Sequence, residues 1–220
     1  MTAMLAQFTQ GLVWTGDLRT DVVALLDHSG YTHTAEHCLA VATQAKQLAT
    51  QFGADPNLAE AAGWLHDVSA LIPTAQRLAV ARQWKLEVLP AEERAPMLLH
   101  QKLSTVIARE LFDISDRVVL NAIECHTTLK ADASLLDKVV FIADKVAWDQ
   151  PGTPTYQREV NAALTDSLDK AVFCYLDHLW QRRKELAAVH PWLVDAHREL
   201  ATSYRASLDP GHPAAHRPQK

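Results

Sequence analysis

Apolar residues in this chain recur at every third or fourth position over most of its length, the period of an α-helix with one buried face. Over 33–52, for example, Val41, Ala45, Leu48 and Phe52 form one stripe with His37 at its head. A strand, whose faces alternate at every residue, cannot present such a stripe to a core. Seven glycines in 220 residues leave few tight turns, and no alternation of strands and helices is visible. The expected fold class is all-α, a single helical bundle.

Punctuation places the helices. One runs from Asp17 to His28 and stops at Ser29-Gly30, and a second covers His33–Phe52 with Gly53 as its natural C′ residue. Asp55-Pro56 offers an N-cap and a first-turn proline for a short alanine-rich helix ending near His66-Asp67. Helices are expected over 74–85 and 96–111, around a break at Pro90, and over 116–126 after the turn Asp113–Asp116. Ser134 starts the apolar run LLDKVVFIADKVAW; 149–154, with two prolines and a glycine, reads as a loop. One long helix is expected over 157–187 and a last one from His190-Pro191 to Ser207. The organisation predicted is a lead-in helix over 1–30 packed on the core, a main domain over 31–207 and a disordered, proline-rich tail over 208–220.

A formal charge of −5 argues against a general nucleic-acid surface, though not against a small phosphorylated substrate held by a local cation. Three well-separated cysteines, Cys38, Cys125 and Cys174, fit no disulfide framework and point to a reducing cytoplasm. The N-terminus lacks the pattern of a signal peptide and no apolar run reaches membrane-spanning length, so no membrane association is expected. The oligomeric state stays open, a homodimer being one option.

The stretch GWLHDVSALIP, residues 63–73, ends an apolar helix on the doublet His66-Asp67. One such doublet is roughly the chance expectation for this composition, so it gains meaning only from its neighbours. His37 heads its stripe, His100 lies on the face of Leu103 and Ile107, and His126 continues the series Val119, Ala122, Ile123. Asp144 interrupts KVVFIADKV on the buried side, where a carboxylate is costly without a cation. Taken alone, each histidine reads as a hydrogen-bonded core residue, and Asp144 as a partner for Lys138, Lys145 or an arginine. Together, inner-face ligands on several helices suit Zn, Mn or Fe rather than Ca. Six ligands exceed one tetrahedral site and favour two metals sharing Asp67.

The ordered set His37, His66-Asp67 and Asp144 resembles the H…HD…D signature of the HD superfamily of metal-dependent phosphohydrolases. The segments LLHQ (98–101), CHTT (125–128), SLLDKVVFIAD (134–144) and VHPWLVDA (189–196) are similar to the YqeK-type bacterial symmetrical bis(5'-nucleosyl)-tetraphosphatases. The resemblance implies an HD-domain helical bundle and a metal set of His37, His66, Asp67, His100, His126 and Asp144. It implies a pair of divalent ions, iron with Mn and Zn as alternatives. The implied reaction is symmetrical cleavage of diadenosine tetraphosphate (Ap4A) to two ADP by a hydroxide activated between the metals, with His66, Asp67 and Asp144 as the catalytic core.

On the substrate side, the resemblance sets Thr127 against the nucleotide and the His190-Pro191 segment at the border of its pocket. Thr34 and Ala70 replace an arginine and a lysine usual in that branch, and Gln101-Lys102 replaces Gly-Pro. Thr34 thus takes a phosphate-facing position, with Lys102 or Lys130 as substitute cations. These departures keep two alternatives open: another HD-type phosphomonoesterase, or a nucleotide-sensing protein with little turnover.

Overall fold

The computed structural model describes residues 3–208, and the expected disordered tail falls almost wholly outside them. Among the described residues there are twelve α-helices and no strand. In chain order these are α1 (Ala3–Thr9), α2 (Leu18–His28), α3 (Thr32–Phe52), α4 (Pro56–Leu65), α5 (Thr74–Gln83) and α6 (Pro90–Arg94). They continue as α7 (His100–Leu111), α8 (Arg117–Cys125), α9 (Leu135–Val146), α10 (Gln157–Leu164), α11 (Leu168–Gln181) and α12 (Pro191–Leu208). Single turns of 3₁₀ helix occupy Val68–Leu71 and Pro96–Leu99.

The boundaries follow from local chemistry. Asp17, Asp55, Asp116 and Ser134 each cap a helix by accepting a backbone N–H from its first turn. Gly53 ends α3 in the left-handed region at φ 81°, where a side chain would be strained. Three expectations are corrected. The N-terminal thirty residues hold two helices, not one; Asp21 joins the segment before α2 to the bundle by accepting from Thr15 N, Thr15 Oγ1 and Gly16 N. The long helix over 157–187 is two, because Thr165-Asp166-Ser167 offers the backbone side-chain partners instead: Thr165 Oγ1 donates to Ala162 O and Ser167 Oγ accepts from Lys170 N. The expected helix over 96–111 likewise opens as a 3₁₀ turn before α7.

The core lies where α3, α4 and α9 pack together, with α8 laid against α4, α7 and α9. Val41, Ala45, Leu65, Val140 and Phe141 are buried there. α3 and α4 approach each other closely at Gly63. A Cβ on Gly63 would sit 2.5 Å from Ala42 Cα, so only glycine lets the two backbones meet. Among the described residues no helix is long and apolar enough to cross a membrane.

Gly63→Ala must push α4 off α3. The expected loss is about 1–3 kcal/mol, the cost of overpacking a close core contact, read from urea unfolding midpoints. An unchanged midpoint would contradict the close approach.

Candidate metal centre

Three of the four inward histidines stand where a helical segment ends. His66 follows α4, His126 follows α8, and His100 follows the 3₁₀ turn at Pro96–Leu99. Helix ends leave carbonyls without an intrahelical partner, and each ring reaches back three residues to one of them. His66 Nδ1 donates to Gly63 O at 2.7 Å, His100 Nδ1 to Met97 O at 2.5 Å and His126 Nδ1 to Ile123 O at 2.8 Å. With the proton on Nδ1, each Nε2 carries a lone pair, and all three are turned inward.

His37, in the second turn of α3, is held differently: its Nδ1 lies 3.3 Å from Asp149 Oδ2, in the loop after α9. Asp67 is the next residue after His66, two beyond the end of α4. The break in the helix turns its carboxylate toward the rings that His66 also faces, and that is why the doublet closes the helix.

The donors fall into two halves around Asp67. On one side, Asp144 Oδ1 lies 3.1 Å from His37 Nε2 and 3.7 Å from His66 Nε2, and Asp67 Oδ2 lies 3.7 Å from His66 Nε2. On the other, Asp67 Oδ1 lies 3.6 Å from His100 Nε2 and 3.7 Å from His126 Nε2. A metal bonded at about 2.1 Å spaces its ligand atoms roughly 3–3.5 Å apart, close to these separations.

The electrostatics fit a cation. Burial lowers the pKa of His100 and of His126, the latter far below the ordinary value, so both rings are neutral at pH 7. Burial opposes ionisation of Asp67, but attraction to whichever of His66, His100 and His126 carries a proton outweighs it and lowers the carboxyl to about 2. Asp144, against the same burial, is held well below the carboxylate range by Lys145 and His37. Neutral imidazoles and charged carboxylates form a donor set that attracts a divalent ion. His66 Nε2 is fully buried with no hydrogen-bond partner, and His100 Nε2 faces His126 Nε2 at 3.0 Å. Two lone pairs at that distance repel unless a proton or a metal lies between them.

Thr127 joins the rim. Its hydroxyl donates to His100 Nε2 at 2.8 Å, and its N–H donates to Gln101 Oε1 at 3.2 Å. Gln101, wholly buried, also donates to Thr128 Oγ1 and so fixes the turn after α8. Leu129 closes that turn at φ 54°, a strained conformation for a branched side chain.

Beside the cluster lies a cavity of about 240 Å³ lined by Met97, Leu98, Thr127, Lys145, Leu186 and His190, among others. Lys145 enters it from the far side of Asp144, whose Oδ2 accepts from Nζ at 2.5 Å.

The sequence-derived residues divide accordingly. His37, His66, Asp67, His100, His126 and Asp144 converge, with Thr127 beside them. Thr34 sits half-buried one turn before His37 on α3. His190 lines the cavity, yet its ring nitrogens are turned elsewhere: Nδ1 accepts from Trp192 N, and Nε2, without a hydrogen bond, faces Glu92 Oε1 at 3.5 Å. Lys102 is not at the centre at all. Two residues after His100, it leaves the opposite face of α7, where Nζ donates to Glu92 Oε2 at 3.0 Å and Glu87 O at 2.9 Å. Asp149 and Lys145 are the two site residues that helical periodicity could not find. Asp149 lies in a loop, and Lys145 read only as a possible partner for Asp144. The cysteines are free thiols, and burial raises the pKa of all three.

A helical bundle whose core gathers histidines and aspartates from five segments defines a metal-binding protein of the histidine–aspartate kind. The HD domain profile matches residues 34–149, just over half of the 220-residue chain, and the chain belongs to that family of metal-dependent hydrolases. A Lactococcus lactis relative named "Uncharacterized protein in pepC 5'region" is 40% identical over 139 residues, 63% of this chain and 70% of the relative. A Bacillus subtilis relative named "Bis(5'-nucleosyl)-tetraphosphatase, symmetrical" is 25% identical over 184 residues, 80% of this chain and 97% of the relative. A solved structure of a predicted HD superfamily hydrolase involved in NAD metabolism, from Clostridium acetobutylicum, superposes with a TM-score of 0.76 at 26% identity, covering 87% of this chain and 100% of that one.

Because Asp67 faces both halves, Asp67→Ala is expected to lower bound divalent metal below the level of either His37→Ala or His126→Ala. Elemental analysis after dialysis reads this directly. Wild-type metal content in Asp67→Ala would remove the carboxylate from the ligand set.

Proposed function

We propose that this chain hydrolyses nucleotide phosphoanhydrides and cuts Ap4A symmetrically to two ADP. The observation that carries the reading is the two-sided donor cluster around Asp67, opening beside an apolar cavity large enough for one nucleoside. The name of the Bacillus subtilis relative supports the substrate. His37, His66, Asp144 and one oxygen of Asp67 would hold one divalent ion; His100, His126 and the other oxygen would hold a second. Iron is the metal proposed, with Mn and Zn compatible with the same nitrogen and oxygen donors. Bound there, two such ions supply Lewis acidity that makes water acidic near pH 7 and neutralises charge on the phosphoryl group.

The protein's own residues do the rest. His66, Asp67 and Asp144 fix the geometry of the centre. Once His100 Nε2 is engaged as a ligand, the Thr127 hydroxyl is free to donate to a phosphate oxygen. Thr34, one turn before His37, borders the phosphates from α3, and His190 shapes the cavity wall with its Nε2 turned toward the buried Glu92. The cavity lined by Met97, Leu98 and Leu186 takes one nucleoside and excludes water around the anhydride. Water attacks an inner phosphorus, the central P–O bond breaks, the bridging oxygen leaves on one ADP, and two protons pass to solvent. Positioning and charge neutralisation account for most of the acceleration in reactions of this class. The setting proposed is the cytoplasm.

Anaerobically purified, metal-loaded protein is expected to convert Ap4A to ADP as sole nucleotide product. Chelation should abolish turnover and metal re-addition restore it. Release of inorganic phosphate from nucleoside monophosphates, with Ap4A untouched, would replace this reading by a phosphomonoesterase.

A further inference from the structure

The cations near the centre differ in what they are free to hold. Lys102 is bound by Glu92, Lys130 lies 3.7 Å from Asp137, and Arg77 donates to Ile72 O and Met97 O. Lys145 differs in that its partner, Asp144, is itself one of the clustered donors. Its side chain is 11% exposed, its ion-pair partner is Asp144, and it lines the cavity together with Thr127. Two aromatic rings flank it: Nζ lies 5.5 Å from the Phe141 ring centroid and 5.7 Å from that of Tyr175. Ring faces steady an ammonium, but they supply no counter-charge.

The two oxygens of Asp144 have different partners. Oδ1 faces His37 and His66, and Oδ2 accepts from Lys145. A carboxylate that shares its charge with a divalent ion holds an ammonium less strongly. A largely buried ammonium so released needs another anion, and its open side is the cavity.

We propose that Lys145 is the phosphate-binding cation of this site, turning from Asp144 to a phosphate next to the one attacked when a nucleotide of two or more phosphates binds. This rests on the nucleotide-hydrolase reading and deepens it. Lys145 makes the site selective for polyphosphates over monoesters, because a single phosphate engaged at the centre leaves nothing for Nζ to hold. A lysine suits such an exchange of partners, since its ammonium is a point charge on a flexible stem, without the fixed fork of arginine.

The test is equilibrium binding of ADP, AMP and adenosine to manganese-loaded protein by calorimetry. Lys145→Gln is expected to weaken ADP binding about 10- to 100-fold, the scale of one hydrogen bond to a charged group, while adenosine binding and metal content stay at wild-type values. Lys145→Arg is expected to recover most of the ADP affinity. Equal losses for ADP and adenosine, or no loss for either, would overturn the proposal and leave Lys145 as a counter-charge for Asp144. A crystal of the unmodified protein with ADP gives an independent reading. Nζ within hydrogen-bond distance of a phosphate oxygen supports the proposal, and Nζ still held by Asp144 alone overturns it. Failure of the underlying reading looks different: Ap4A left intact by protein whose ADP affinity depends on Lys145 sinks the hydrolase and keeps the cation.

Discussion

Two neutral imidazoles, His100 and His126, turn their Nε2 atoms toward each other at 3.0 Å, and each donates its Nδ1–H to a backbone carbonyl. Lone pairs so placed are stable only with a positive charge between or beside them. Asp67 lies against the same pair through one oxygen and against His66 through the other. The interior of the bundle is thus organised around an electrostatic demand that the protein's own side chains meet only in part, through the Thr127 hydroxyl on His100 Nε2. A divalent ion answers it; an apolar core of the same volume would have no use for two ionised carboxylates and four inward rings.

The helices create that demand through their ends. A helix terminus supplies carbonyls without partners, and a histidine placed just beyond uses one of them to fix its tautomer and aim its other nitrogen. The device is repeated at Gly63 O, Met97 O and Ile123 O. Gly63 serves twice, since its missing side chain lets α4 lie against α3 and its carbonyl orients His66. His37, inside α3, lacks such a carbonyl and meets Asp149 from the 147–154 loop instead. One half of the centre is therefore built wholly from helix ends, and the other depends partly on a loop.

Much of this was legible in the sequence. The caps at Asp17, Asp55, Asp116 and Ser134, and the stop at Gly53, announce themselves by residue type, because capping is a local interaction. The converging donors were legible as well: a polar side chain on an otherwise apolar helical face must point inward. What escaped is what periodicity does not encode. Thr165–Ser167 breaks a helix by local side-chain bonds that three ordinary polar residues do not advertise. Lys102 read as a spare cation, but a buried Glu92 from α6 claims it, and that pairing exists only in the fold. Asp149 and Lys145 matter through partners fixed by tertiary packing.

In the function proposed, Asp67 would join two metal positions, one toward His37, His66 and Asp144 and one toward His100 and His126. Anomalous diffraction from crystals of the metal-loaded protein, collected on both sides of the metal's absorption edge, tests it most directly. Two anomalous peaks flanking the Asp67 carboxylate are expected, each within bonding distance of one of its oxygens. A single peak with Asp67 turned away, or a peak outside the histidine cluster, would contradict it.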